Sequence, residues 1–169
     1  IADCVKGLSV PPMFASCRVA DAVGHVMKTL GKYAEEKGIV LRTEGLDDLP
    51  VILADENRLF NAFYNLVNNA IPEVPAGGCI TIRGSARPDA KVVLLEVADT
   101  GRGMSPEVRA RLFTARAISR KAGGTGLGTK IVKDVVDAHG GQITVDSEEG
   151  KGTTFHLLLP IRPPGCAAH

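Results

Sequence analysis

Asn65 and Asn69 stand four residues apart in Asn65-Leu66-Val67-Asn68-Asn69-Ala70, so on a helix they share one face. An amide oxygen is a hard, neutral ligand suited to Mg²⁺, a metal that keeps most of its waters while gripping phosphates. Taken alone, two asparagines near a helix end read equally well as caps or solvated groups. Asp99 follows the apolar run Val92-Val93-Leu94-Leu95-Glu96-Val97 and opens Asp99-Thr100-Gly101-Arg102-Gly103-Met104. A carboxylate there can accept a hydrogen bond from an exocyclic amine such as that of adenine. Gly101 and Gly103 let the backbone pass close to a planar base, although a D-x-G turn is also a common strand ending. A second cluster, Gly123-Gly124-Thr125-Gly126-Leu127-Gly128, precedes a helical pattern. Glycines ahead of a helix leave N–H groups open to anions, which makes a phosphate cradle without a Walker lysine; the plain alternative is a flexible loop. The three motifs in this order, with a long polar segment between the last two, point to a nucleotide site.

These motifs need elements to hold them. Asp21 is placed to cap a first helix, whose apolar positions Val23, Val26, Met27, Leu30, Tyr33 and Ala34 recur at three and four, and Gly38 ends it. Phe14 to Val19 suggests a short edge strand. Ile39-Val40-Leu41 and Val51-Ile52-Leu53 read as further strands. Asp55 caps the asparagine helix, which buries Leu59, Phe60, Phe63, Leu66, Val67 and Ala70 and stops at Pro72 and Pro75-Ala76-Gly77-Gly78. Residues 79–83 and 91–98 form strands joined near Arg87-Pro88-Asp89, the second central because its apolar run is continuous. Ser105-Pro106-Glu107 starts a helix to about Phe113, and residues 114–125, without periodicity, suit a mobile lid. A helix from Leu127 to Ala138 stops at His139-Gly140-Gly141, and strands 142–146 and 153–159 close the domain around Glu148-Glu149-Gly150-Lys151-Gly152. The mixed order predicts an α+β fold: a two-layer α/β sandwich, its mixed, mainly antiparallel sheet covered on one face by helices. Neither glycine cluster is a G-x-G-x-x-G inside a β-α-β unit, which argues against a Rossmann domain.

Bulk properties narrow the classes. The 169 residues suffice for one domain with a core, and 44% hydrophobic with 23% charged residues is an ordinary globular balance. A net charge of +1 supplies no field for nucleic acid or an anionic membrane. Arg109, Arg111, Arg116, Arg120, Lys121, Lys130 and Lys133 gather around the glycine region, where phosphates would need them. Cys4, Cys17, Cys79 and Cys166 have wide spacings and no C-x-x-C pair, so free thiols in a reducing, cytoplasmic compartment are expected. No apolar run approaches the roughly 18 residues of a membrane span, so no direct membrane contact is expected. The chain lacks a signal-peptide pattern and does not begin with Met, and a fragment of a longer protein is expected. Its organisation reads as a linker at 1–18, a domain at 19–160 and a flexible tail at 161–169.

At this point the residues resemble the ATP-binding catalytic domain of bacterial two-component sensor histidine kinases, in the superfamily shared with gyrase, MutL and heat-shock chaperones. The resemblance runs from Val19 to Pro160: Asn65 to Ala70 matches the N-box, Asp99 to Met104 the first glycine box, Gly124 to Gly128 the second, and Leu112-Phe113 the start of the F-box. His139-Gly140-Gly141 and Gly150 to Phe155 match the C-terminal hairpin, and Asn69 to Ile82 is most similar to the nitrogen-sensor type. The resemblance implies a Bergerat ATP fold with ATP and Mg²⁺. It implies that Asp99 binds the adenine amine, that Asn65 and Asn69 hold the metal, and that residues 113–125 form the lid. Gly101, Gly103, Met104, Gly124, Thr125, Gly126, Leu127, Gly128 and Thr154 join the implied nucleotide contacts. The implied partners are a separate dimerisation and phosphoacceptor domain and, indirectly, a response regulator. The fragment itself is expected to be monomeric.

Superfamily ATPases usually carry a glutamate base where this chain has Asn65, and an asparagine cannot take a proton from water. Transfer to a histidine is then favoured over hydrolysis, with positioning and charge stabilisation as the protein's task. His25, His139, His156 and His169 lack the acidic neighbour of the family's phosphoacceptor, and each reads as structural or solvent-facing. The chain departs from the family pattern at Pro72, at Ala115-Arg116-Ala117 after Thr114, and at Thr129. Two other readings are a degenerate nucleotide-binding or protein-interaction module and an ATP-hydrolysing machine like gyrase.

Overall fold

The computed structural model describes residues 11–107 and 125–163, without the side chains of Pro88 and residues 125–129. Two strands come early, β1 (Ala15–Cys17) and, after helix α1 (Val19–Glu36) and strand β2 (Val40–Glu44), β3 (Ile52–Ala54). Helix α2 (Glu56–Ala70) follows and runs into a 3₁₀ turn at Ile71–Glu73. Then come β4 (Cys79–Arg87), β5 (Val92–Asp99), α3 (Thr125–Ala138), β6 (Gln142–Glu148) and β7 (Gly152–Pro160). The main sheet has five strands in the order β2-β4-β5-β7-β6, while β1 and β3 pair separately. Only β2–β4 is parallel; the other pairs in the main sheet are antiparallel. This is the expected sandwich: a mixed, mainly antiparallel sheet with helices on one face.

The core forms where amphipathic helices meet the inner face of the sheet. Val23, Val26 and Leu30 of α1, Leu59, Phe63 and Val67 of α2, and Val132 and Val136 of α3 are buried against Ile80, Ile82, Val93, Leu95, Leu157 and Leu159. Each fully buried side chain of this size contributes about 1.5–3 kcal/mol. The sheet's other face carries a row of charge. Arg83 pairs with Glu44 at 2.9 Å, and His156 lies 2.9 Å from both Glu96 and Asp146.

Several local expectations are corrected. Helix α1 begins at Val19 after Arg18, without a side-chain cap, so Asp21 sits in the first turn, where its charge suits the dipole. The continuous run in β5 is central in strand order, but only Val93, Leu95 and Val97 are buried. Val92, Leu94 and Glu96 take the half-exposed outer face, because strand side chains alternate. Phe60, read as core, is half-buried and meets Tyr64 and His25 ring to ring. Helix α3 begins at Thr125, so Thr125 and Gly126 belong to it rather than to a preceding loop. The F-box, the remainder of the lid, the residues Ala115, Arg116 and Ala117, Gly123 and Gly124, Cys4 and Cys166 lie outside the described residues.

Candidate nucleotide site

Helix α2 positions the asparagines. Its start is fixed by Asp55, whose carboxylate accepts from the Arg58 N–H at 3.2 Å. Leu66, Val67 and Ala70 go into the core, which leaves Asn65 and Asn69 half-buried on the adjoining face. The Asn65 Nδ2 donates to the Asn61 carbonyl at 2.7 Å. That bond fixes the amide and leaves Oδ1 as the side chain's acceptor. The Asn69 Nδ2 is buried with no hydrogen-bond partner among the described residues. An unsatisfied buried donor costs about 1–3 kcal/mol, so a ligand oxygen at that point would be favoured.

The 3₁₀ turn after α2 carries the chain from Asn69 to the first glycine loop. The Glu73 carbonyl accepts the Arg102 N–H at 3.2 Å, and the Glu73 carboxylate pairs with the Arg102 guanidinium at 3.0 Å. The exposed ion pair adds little, but the backbone contact leaves no room for a side chain at Gly101. A Cβ there would sit 2.7 Å from the Glu73 oxygen and 2.9 Å from Asp99 Oδ1. The structure thus packs the turn that follows Asn69, through Glu73, against Asp99, Gly101 and Arg102.

Asp99 ends β5 with its carboxylate on the same face as Val93, Leu95 and Val97. It accepts the Gly101 N–H at 2.8 Å and also bonds the Thr153 N–H. Desolvation raises its pKa above the ordinary carboxylate value, against the lowering effect of those two bonds, and Glu73 adds a smaller upward push. A half-buried carboxylate in that state is a strong acceptor for a buried amine donor.

The loop is backed on its other side by the β6–β7 hairpin. The Gly150 N–H donates to the Arg102 carbonyl at 2.7 Å, and the Met104 N–H donates to the Ser147 hydroxyl at 2.8 Å. Gly103 (φ 74°) presses against the Glu148 carbonyl, and Gly152 (φ 103°) against that of Asp99. A cleft of about 310 Å³ opens here, lined by Asp99, Asp146, Ser147, Lys151 and Thr153 among others.

The register places Thr153 directly across from Asp99 and Thr154 opposite Ala98, and both threonines line the cleft. Sequence reasoning missed Thr153. Its signal was the alternation of β7: Leu157 and Leu159 are buried, and counting back by twos from Leu157 gives Phe155 and Thr153. Gly124 lies outside the described residues. Thr125, Gly126, Leu127 and Gly128 form the start of α3, which packs beside α2.

An α/β sandwich with a desolvated carboxylate at a strand end, a clamped glycine loop and an asparagine helix is the architecture of the ATPase-like family that the sequence matches. Residues 54–163 match the histidine kinase-, DNA gyrase B- and HSP90-like ATPases, and the chain belongs to that family. Among curated relatives, it is 39% identical over 149 residues to the sensor protein DivL of Caulobacter vibrioides, covering 88% of this chain and 19% of that protein. It is 37% identical over 139 residues to the sensor histidine kinase ZraS of Escherichia coli, covering 82% of this chain and 29% of that one. It therefore spans less than a third of either relative. Full-length ShkA, solved in complex with AMPPNP, superposes with a TM-score of 0.79 at 34% identity, over 89% of this chain and 32% of that one. The catalytic domain of the histidine kinase ThkA gives 0.79 at 25% identity, over 89% and 97%. Among the described residues, no helix is long and apolar enough to cross a membrane.

Proposed function

We propose that this chain binds Mg-ATP and is the catalytic half of a protein-histidine kinase, delivering the γ-phosphoryl group to a histidine on a separate dimerisation domain, from which a response regulator would receive it. The observation that carries the reading is Asp99: a desolvated carboxylate, held by the Gly101 and Thr153 N–H groups, at the end of a buried strand. The buried Asn69 Nδ2 fits a ligand oxygen, and Asn65 keeps an acceptor suited to a hard cation. When bound, Mg²⁺ would supply neutralisation of phosphate charge. The chain's own residues bind and orient: Asp99 for the base, Asn65 and Asn69 for the phosphate end, and the helix α3 N-terminus for anionic oxygens. Asn65 in place of a glutamate base supports transfer over hydrolysis. Support also comes from the kinase relatives and from the nucleotide analogue in the ShkA complex. The Pro75 to Gly78 turn supports grouping the chain with nitrogen-sensor-type kinases. Residues 19–160 would form the catalytic domain, acting as a monomer once separated from its dimerisation partner.

A second reading, a degenerate binding module, is favoured by Ala115-Arg116-Ala117 and Thr129 at positions where the family pattern differs. One experiment separates the two. Titration calorimetry with a non-hydrolysable ATP analogue and Mg²⁺ should give micromolar binding that Asp99→Asn weakens, and label from ATP should then reach a dimerisation domain supplied in trans. An unmodified chain that takes up no nucleotide would favour the module.

A further inference from the structure

Ile80, Asp99, Thr153 and Ser147 form one row across four strands. The Ser147 Oγ lies 2.8 Å from the Met104 nitrogen, 2.8 Å from Thr153 Oγ1 and 3.3 Å from the Gly152 oxygen. One assignment of protons satisfies these three contacts together. The Ser147 hydroxyl donates to Gly152, and its oxygen accepts from the Met104 N–H and the Thr153 hydroxyl. Thr153 in turn gives its backbone N–H to Asp99. Ser147 therefore touches the far end of the first glycine loop directly and the Asp99 carboxylate through one intermediary.

We propose that Ser147 is a positioning residue for adenine recognition, holding the glycine loop and the Asp99 carboxylate in one fixed relation through the β6–β7 hairpin. The inference rests on the nucleotide reading above. Among the described residues, backbone contacts also join hairpin and loop: Gly150 N–H to the Arg102 carbonyl, Gly103 on Glu148, and Gly152 on Asp99. They survive in Ser147→Ala. That variant should keep the fold while removing the hydroxyl on which Met104 and Thr153 converge. Ser147→Thr keeps the hydroxyl.

The test compares ATP with ITP, which presents a carbonyl where ATP presents the amine. Binding of both to the 169-residue chain is measured by calorimetry, and amide exchange at Met104 by NMR. Ser147→Ala should weaken ATP about tenfold, the loss of one buried hydrogen-bond set. ITP affinity should hardly change, so discrimination between the two shrinks. Met104 exchange should accelerate, and Ser147→Thr should restore both readouts. A Ser147→Ala chain that melts earlier yet discriminates like the unmodified protein would overturn the positioning role and leave the nucleotide site standing. Absence of ATP binding by the unmodified chain would overturn both, a result recognisable without any variant.

Discussion

His139 joins the end of α3 to the start of α2: the Asp55 N–H donates to His139 Nε2 at 3.1 Å, while Nδ1 lies 2.8 Å from the Val135 carbonyl. The carbonyl can only accept, so Nδ1 carries the proton and the ring is neutral. The two helices of the candidate site are thus tied at one point, far along α2 from Asn65 and Asn69. A buried histidine read as structural in the sequence has a specific structural task.

Replacing His139 with Ala should destabilise the chain by about 2–4 kcal/mol, from the cavity and the orphaned Asp55 N–H together. Denaturant unfolding measures this. A loss no larger than that of an exposed-site control would contradict the tie.

The same ring gives a pH signature. Burial, partly offset by the Val135 carbonyl and Asp55, lowers the pKa of His139 below 6.5. The unfolded chain then binds a proton that the native chain does not, so stability is complete above about 6.5 and falls as pH drops below it. Asp55 adds a second loss further down. Its desolvation is outweighed by N–H groups from Met13 and Arg58 and by nearby positive charge, so its pKa lies below 3.8. Its contribution is present above 3.8 and disappears as pH falls through the lowered value. A melting series across acid pH should show both losses, and His139→Ala should remove the upper one.

Asp99 behaves oppositely, because desolvation raises its pKa. The native chain holds that proton more tightly than the unfolded one, so its effect on the fold is favourable at low pH and lost as pH rises through the raised value. An adenine amine requires the carboxylate. Affinity for an ATP analogue should therefore be level above that pKa and decline on acidification, a decline absent from the weak binding of Asp99→Asn. Equal slopes in the two proteins would disconnect Asp99 from the base.

Two glycines should respond with opposite signs. Gly103→Ala places a Cβ against the Glu148 carbonyl at positive φ and should cost about 1–2 kcal/mol or more, with weakened nucleotide binding. Gly24 lies exposed within α1 with nothing near its Cβ position, and Gly24→Ala should stabilise by about 0.5–1 kcal/mol. Thermal melting of the pair decides both.

Cys17 should resist alkylation in the native chain. Burial first, then the charges of Glu56, Asp21 and Asp55, push its thiol up to about 11. Half-buried Cys79 should react sooner. Peptide mapping after a timed iodoacetamide pulse checks the order, and native labelling of Cys17 at the rate of Cys79 would refute it.

The sequence was most legible where local chemistry decides structure. Asp55 before an apolar periodic run announced its cap, and the buried stripe of α2 followed from spacing. Helix α1 was harder, because packing of Val19, Ala22 and Val23 sets its start without any capping side chain. The parallel β2–β4 pair could not be read locally, since its register joins Val40 to Cys79 across the whole of α2. Thr153 and Thr154 show the sharpest limit: one residue along a strand reverses the face, and only the pairing fixes which threonine lies across from Asp99. The glycines were legible as special but not as to why. Gly101 and Gly103 are required by Glu73 and Glu148 behind the loop.

The segment before α1 has a bearing on where this chain can be cut. The Met13 N–H donates to Asp55 Oδ2 at 2.9 Å, Phe14 meets the His139 ring edge-on at 5.2 Å, and β1 covers β3. A shortened protein that starts at Val19, where α1 begins, would strip a partner from the α2 cap, uncover the β3 edge and expose one side of the imidazole. Truncations meant to isolate the catalytic unit should keep Met13, and those that discard it should be less soluble and melt earlier for reasons unrelated to nucleotide.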